Sequence, residues 1–540
     1  MAWYQNAVFY HIYPLGLCGA PRENPYGEPV HRLSSLWAWV DHLANLGCNA
    51  LYIGPLFESV GHGYETTDYR RLDGRLGTNG DLKDFVSYCH GKGIRVILDA
   101  VFNHTGRDFF AFRDLREKRE ASPYRDWYRN VNFRADNGYH DGFSYETWGG
   151  FELLAKLNLQ NPAVVQYHLD SVRFWVEEFD IDGLRLDAAD VLDFGFMQAL
   201  RRLANEIKPE FWLMGEVIHG EYARWVNDAT LHSVTNYRLH KALYSGHNDR
   251  NFFEIAHTVE QLGGLCGSLY SFADNHDVER IQTRLRCKAD YLPLHVLLFT
   301  LPGIPSVYYG SEFALEGRKE RGSDASLRPA LRLEDFRDEP HAALIAALAG
   351  ARRAEPALRT GGYERLALST GQYAFARRAG DREALIAVNN ADAPAALSLP
   401  ARLNCYRSVL SGGTRQAENG RLRIELPPHG AELLLPEGGA EAEAWTIPAP
   451  EQWKAALAAQ PRQAAAQPEN AAAPEPGREA EPIPAAPPAG KSIDEMTVPE
   501  LQALILQKLA ANGPLTDRMR REVAENVYPD SLRNWARSFR

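Results

Sequence analysis

The sequence predicts an α/β chain whose largest part is a (β/α)8 barrel. Three observations carry this. Eight short apolar runs alternate with longer helix-like stretches. Charged residues gather at the C-terminal ends of several of those runs. After about residue 350 the texture changes to short alternating runs such as QYAFARR and EALIAVNN, which read as an antiparallel β domain.

The strand-like runs are 8–14, 49–55, 95–101, 182–187, 211–216, 232–237, 268–275 and 305–310. Helix-like stretches at 35–47, 81–93 and 161–179 separate them, the last with apolar residues at three- and four-residue steps. Asp81, after Thr78-Asn79-Gly80, is placed to cap its helix, and Gly47 and Gly93 sit at plausible helix ends. Strand-helix alternation also suits a doubly wound sheet, so pattern alone leaves that rival open. About 55 residues follow the third strand before the next long helix. A loop that long is usually functional, and its aromatic and charged content (YRDWYRNVNFRADNGYHDGFSYETWGGF) reads as a small inserted domain. The expected organisation is a barrel over 1–350, an insert over 105–160 and a C-terminal β domain over 351–436. An Ala/Pro/Glu-rich linker over 437–490 and a helical tail over 491–540 follow. That tail reads as a self-association or docking element.

Of 540 residues, 45% are hydrophobic, enough for a large core, and the net charge is −11. The negative balance argues against nucleic acid and acidic membranes as partners and suits a neutral substrate. The six Cys, at 18, 48, 89, 266, 287 and 405, are scattered, with no C-x-x-C pair and no spacing that suggests zinc or a disulfide framework. No basic segment followed by a long apolar stretch opens the chain, and no run of 18 apolar residues occurs. A cytoplasmic protein is the expectation.

GLRLDAAD (183–190) carries a cation and a carboxylate in an apolar setting. Strand side chains alternate faces, so Gly183, Arg185 and Asp187 share one face and Leu184 and Leu186 the other. In a barrel the first face looks inward, and its last residue lies at the C-terminal mouth, where active sites of this fold sit. Arg185 is expected to hold Asp187 ionised and lower its pKa, as a nucleophile requires. A bracing Arg–Asp pair is the plain structural alternative. Glu216 ends FWLMGE after apolar residues, a setting that raises a carboxyl pKa and suits a proton donor. Asp274, His276 and Asp277 cluster in SFADNHD, and Asp99, Asn103 and His104 in DAVFNH. Two carboxyl groups of divided protonation, a third acid and histidines are the means of glycoside hydrolysis.

With DAVFNH (99–104), LAKLNLQNP (154–162), GLRLDAAD (183–190), GEV (215–217) and FADNHD (272–277) in this order, the chain resembles glycoside hydrolase family 13, the α-amylase family. HGYETTDY (62–69) and LPGIPSVYYGSE (301–312) resemble further family segments. The resemblance spans roughly residues 6–435. It implies a barrel with an inserted domain B and a C-terminal β-sandwich, and retaining hydrolysis of α-1,4-glucosidic bonds in maltooligosaccharides through a covalent glucosyl-enzyme. Asp187 matches the nucleophile, Glu216 the acid/base and Asp277 the transition-state stabiliser, and Arg185 the arginine that orients the nucleophile. The two reacting carboxyl groups should then lie about 5–5.5 Å apart. His104 and His276 match sugar-binding histidines and Tyr64 the aromatic platform, with His62 close by. Asp324 and Arg328 resemble a sugar-binding pair after strand eight.

Two segments resemble the cyclomaltodextrinase, neopullulanase and maltogenic amylase group. The sequence departs from that group in starting almost at strand one, without its usual N-terminal β domain, and in placing Asp190 and Val191 after the nucleophile. Those positions shape the leaving-group subsites. No cofactor is expected; Asn103 matches a calcium ligand of many relatives, but the motifs do not support a metal. Two alternatives share the scaffold: a transglucosidase or trehalose-synthase-like isomerase, and a catalytically inactive sugar-binding protein. Retention of all three acids counts against the second.

Overall fold

Eight parallel strands form one sheet in the computed structural model. They are β1 (Phe9–Ile12), β2 (Ala50–Ile53), β3 (Arg95–Ala100), β4 (Gly183–Leu186), β5 (Trp212–Gly215), β6 (Ser233–Val234), β7 (Tyr270–Phe272) and β8 (Ile304–Tyr308). Their order is β6-β5-β4-β3-β2-β1-β8-β7. A parallel bridge from Thr235 to Tyr270 spans the remaining seam, where the Asn236 N–H donates to the Tyr270 carbonyl at 2.8 Å. That contact curls the sheet into a nearly closed barrel, and the doubly wound alternative, an open sheet with two free edges, is excluded. The structure describes residues 2–320, 323–336, 339–437, 492, 493, 496–511, 523, 532 and 536.

The barrel interior changes character along the strands. Phe9, Ala50, Ile97, Trp212, Met214, Tyr270 and Ile304 make an apolar cluster. Phe9 of β1 reaches Trp212 of β5, which is not its neighbour in the sheet, at a ring separation of 5.0 Å, so this cluster fills the interior. Above it, toward the strand C-termini, the inward residues become His11, Tyr52, Asp99 and Arg185. The opposite faces, with Leu51, Ile53, Val96, Leu98, Leu184, Leu186 and Leu213, pack against the surrounding helices.

Local chemistry explains the helix limits. Helix Pro162–Phe179 has Asn161 as its N-cap, Pro at its first position and Asp180 in the left-handed region after it. Helix Asn79–Gly91 is capped by Thr78, with Asp81 returning a hydrogen bond from the third helical position. The sequence reading gave the capping role to Asp81; the reciprocal capping box uses both residues. Gly47 and Gly93 take positive φ just past their helices, where a side chain would be strained.

After β3, His104–Thr105 pairs with Phe151–Lys156, which also pairs with Thr147–Trp148. Helix Phe110–Lys118 and a cluster of aromatic rings complete this insert, with Arg107 and Asp141 paired at 2.7 Å in its interior. Helices His341–Ala354 and Pro356–Thr360 precede the first strand of an antiparallel region, which begins at Gly362. Six strands form one sheet there and Ala395–Pro400 and Arg421–Leu426 a second. Leu385, Leu399, Tyr406, Leu422, Ile424 and Leu434 fill the space between them. Buried Arg377 ties this region to the barrel by donating to the Thr300 carbonyl at 2.6 Å. The linker expected at 437–490 lies, past its first residue, outside the described residues. In the tail, helix Val498–Ala511 buries Leu501 and Ile505 with Val523, Leu532 and Ala536 in a cluster of its own.

Gly183 opens β4 where a Cβ would meet the Trp212 carbonyl oxygen at 2.4 Å, and backbone there cannot yield. Gly183→Ala is therefore expected to destabilise the barrel by about 1–3 kcal/mol. Gly267→Ala, with nothing within 4 Å, is the neutral reference. Urea denaturation of both variants checks this, and equal stabilities would remove the close approach as a constraint.

Candidate active site

The charged strand ends converge on one guanidinium. Arg185, buried on β4, lies in register with Asp99 on β3. Its Nη1 donates to Asp99 Oδ1 at 2.8 Å and to Asp187 Oδ1 at 3.0 Å, and its Nη2 reaches Glu216 Oε2 at 2.8 Å. One planar fork thus fixes three carboxylates from three strands. Asp187 and Glu216 prolong their strands: the Asp187 N–H donates to the Ala100 carbonyl and the Glu216 N–H to that of Leu186. Ala188, just after Asp187, adopts φ of 46°, a strained conformation for a residue with a Cβ. Its N–H donates to Glu216 Oε2 at 3.1 Å, so the turn that ends β4 also holds Glu216.

The third acid comes from the loop after β7. Asn275 Oδ1 accepts from the N–H groups of Asp277 and Val278 and shapes the turn. Arg328 Nη2 donates to Asp277 Oδ1 at 2.8 Å and to Asp324 Oδ2 at 3.2 Å, and His276 Nε2 lies 3.0 Å from Asp277 Oδ2. Asp274 does other work: it accepts from the Ile281 N–H and Ser311 Oγ–H and braces the loop from behind.

The loop after β2 carries His62 and Tyr64. Arg75, fully buried, holds this loop by donating to the Gly61 carbonyl at 2.7 Å, and Tyr13 Oη–H donates to the His62 carbonyl. Tyr64 Oη lies 3.1 Å from Asp99 Oδ2 and 2.5 Å from His276 Nε2. His104 accepts its place from Tyr64, whose carbonyl is 3.1 Å from Nε2. Burial pushes the His104 pKa down to about 3, so its imidazole is neutral.

These residues border a single cleft of about 1050 Å³. His62, Tyr64, His104, Asp187, Glu216, Asp277, Asp324 and Arg328 line it, with Asp190 alongside, while Arg185 and His276 lie beneath. Trp148, Phe151 and Leu153 of the insert form an apolar wall, Phe151 being 59% exposed.

Two expectations need correction. Arg185 was expected to lower the Asp187 pKa; burial instead raises it well above the usual carboxylate range, with Glu216, Asp99 and Asp277 adding to the rise and Arg185 only opposing it. The octapeptide displays the cation but not the other carboxylates that share it. Glu216 was expected in partly apolar surroundings; its Oε2 accepts the Ala188 N–H and pairs with Arg185 Nη2, and Tyr237 Oη faces its Oε1 at 3.5 Å. At Asp277 burial also works upward, but His276, Arg328 and Arg185 outweigh it and hold the carboxyl well below its ordinary value.

The sequence reading noted Asp99 in the DAVFNH cluster without giving it a role, and did not single out Tyr237. Strand alternation alone places Asp99 on the inward face of β3, level with Arg185. Tyr237, which opens a helix after β6, carries no such signal. Asn103 Nδ2 faces His104 Nδ1 at 3.2 Å, and its backbone carbonyl accepts from the Leu157 N–H at the base of the insert. Among the described residues, the carboxylate, imidazole and thiol groups that could jointly hold a metal lie elsewhere.

A raised Asp187 pKa lowers stability as pH rises. Below the unfolded-state value of about 3.9 both states carry the proton; above it the unfolded chain releases the proton first and gains. Asp187→Asn removes this penalty. The variant is expected to be more stable than the parent at pH 7, with the gain vanishing as pH falls below about 4. Denaturant titrations from pH 4 to 8 measure it; a variant less stable at pH 7 would contradict the assignment.

Residues 33–345 match the family description "Alpha amylase, catalytic domain", and residues 366–432 match "Maltogenic Amylase, C-terminal domain". A cyclomaltodextrinase from a Bacillus species is 32% identical over 422 residues, covering 72% of this chain and 73% of that one. The native debranching enzyme of Nostoc punctiforme aligns with a TM-score of 0.71 at 28% identity, over 80% of this chain and 99% of that structure. The ligand-free cyclic α-maltosyl-(1→6)-maltose hydrolase of Arthrobacter globiformis aligns with a TM-score of 0.68 at 26% identity, over 81% and 99%. Barrel, insert, antiparallel C-terminal region and sequence agree: this chain belongs to the α-amylase family of glycoside hydrolases.

Proposed function

We propose that the cleft hydrolyses α-1,4-glucosidic bonds of maltooligosaccharides by double displacement. The convergence of Asp187, Glu216 and Asp277 on one cleft, with Arg185 bridging the first two, carries this reading. An Asp187 oxygen attacks the anomeric carbon while Glu216 gives its proton to the glycosidic oxygen, which leaves with the bonding pair. Water then attacks the glucosyl–Asp187 ester. Glu216 takes its proton, and the Asp187 carboxylate departs. Asp277, kept ionised by Arg328, faces the positive charge that develops on the ring. Neutral His104 offers the sugar an uncharged hydrogen-bonding group, and Tyr64 offers a flat face. Asp324 and Arg328 border the same end, and His62 lies at the rim.

Four carboxylates, Asp99 included, face Arg185 and Arg328. Arg185 touches both Asp187 and Glu216, so one cation holds the two reacting carboxyl groups in place.

The similarity to a cyclomaltodextrinase and to a cyclic α-maltosyl-(1→6)-maltose hydrolase supports the substrate class. We place the protein in the cytoplasm: its six cysteines are free thiols, which suits a reducing compartment, and among the described residues no helix is long and apolar enough to cross a membrane. The assignment keeps catalysis within residues 1–350 with the insert at 105–160, followed by the β domain at 351–436, the linker at 437–490 and the tail at 491–540. The tail is assigned to self-association.

Maltohexaose incubated with the protein should yield shorter maltooligosaccharides, followed by chromatography. Glu216→Gln should lower kcat at least about 10³-fold on this substrate with the fold intact. Near-parent turnover would remove Glu216 from the acid role, and products longer than maltohexaose as the main outcome would favour the transglucosidase. A chain ending at residue 437 should keep turnover but elute at a smaller assembly size than the full chain. An unchanged assembly size would assign the tail another purpose.

A further inference from the structure

Among the described residues, one group of potential ligands lies outside the cleft, where the barrel meets the C-terminal β region. Cys287 and Asp290 flank a 3-10 turn that leads into helix Tyr291–Thr300. His429 comes from the turn between strands Arg421–Leu426 and Ala431–Pro436. One ligand atom from each of the three lies within 4.8 Å of the others. Cys287 Sγ is 3.7 Å from His429 Nδ1, and that nitrogen is 2.7 Å from Asp290 Oδ1. A tetrahedral zinc centre separates sulfur and nitrogen ligands by about 3.5 Å. The thiol stands near that spacing, 3.7 Å from Nδ1 and 3.8 Å from Nε2, whereas Asp290 Oδ1 sits at hydrogen-bond distance and must draw back for an ion to enter.

A second observation points to a ligand. Asp290 is 1% exposed, yet its Oδ2 has no hydrogen-bond partner. The residue precedes a ten-residue helix but its side chain does not cap it. A buried carboxylate oxygen left bare is costly unless something compensates it. His429 holds φ at 51°, so the chain pays backbone strain to present this imidazole to Asp290.

We infer that Cys287, Asp290 and His429 bind a borderline-soft divalent cation of the zinc class and clasp the β region to the barrel. Sulfur, imidazole nitrogen and carboxylate oxygen form a donor set that suits such an ion and disfavours calcium or magnesium, which take oxygen ligands. Water fills the fourth position, since Cys287 is partly open to solvent. The ion takes the place of the proton between His429 and Asp290, and that proton and the thiol proton pass to solvent. Asp392, 3.0 Å from His429 Nε2, orients the ring from its far side. His429 lies 142 residues after Cys287 and 139 after Asp290, so no local spacing announces the set.

Cobalt(II) added to the chelator-treated full-length protein tests this. One equivalent should bind and give a near-ultraviolet thiolate-to-cobalt charge-transfer band, and zinc should displace it. Zinc should also raise the melting midpoint by about 2 °C or more. Cys287→Ser and His429→Gln should lose the band while keeping turnover on maltohexaose, and Cys405→Ser should keep it. If the first two variants do not fold, the parent decides alone: no thiolate band at stoichiometric cobalt overturns the site. A band that survives Cys287→Ser overturns it equally.

Discussion

Arg185 is the interaction on which the catalytic end of the barrel depends. Its side chain is buried on β4, and its guanidinium holds Asp99, Asp187 and Glu216 from three adjacent strands. Removing such a cation would leave several buried carboxylates uncompensated, which is far costlier than losing the pairs themselves. The remaining architecture keeps that fork in one place. The apolar layer beneath it fills the barrel floor, and the closed strand order fixes the register of Arg185 against Asp99.

The same arrangement stores the tension that the proposed chemistry uses. Asp187 is pushed toward its protonated form by burial and by its acidic neighbours, while Asp277 is held ionised by His276 and Arg328. Two carboxyls in one cleft thus have their proton affinities driven apart by their different neighbours. Positions of the supporting loops are set from outside the cleft. Arg75 grips the loop of Tyr64, and Asp274 braces the loop of Asp277.

Much of this was legible in the sequence, for physical reasons. Eight apolar runs with charged ends point to a parallel β/α fold with its site at the strand C-termini, and the seam between Thr235 and Tyr270 decides for the barrel over the doubly wound sheet. The ten site residues chosen from the motifs all lie at the cleft or directly under it. What stayed hidden depends on three-dimensional neighbours. The direction of the Asp187 shift follows first from its burial, and then from Glu216 and Asp99, which lie on other strands. The polar setting of Glu216 follows from the Ala188 turn. That Thr78 shares the capping with Asp81 is a one-turn detail of the same kind. The Cys287, Asp290 and His429 cluster joins two regions far apart in the chain, so scattered cysteines looked inert.

The central claim is that Asp187 carries the glycosyl group. A fluorinated maltosyl fluoride that loads the enzyme quickly and hydrolyses slowly would trap that ester. Peptide mass spectrometry of the inactivated protein should then place one sugar on Asp187. A label on Glu216 or Asp277, or steady turnover with no covalent adduct, would contradict the account.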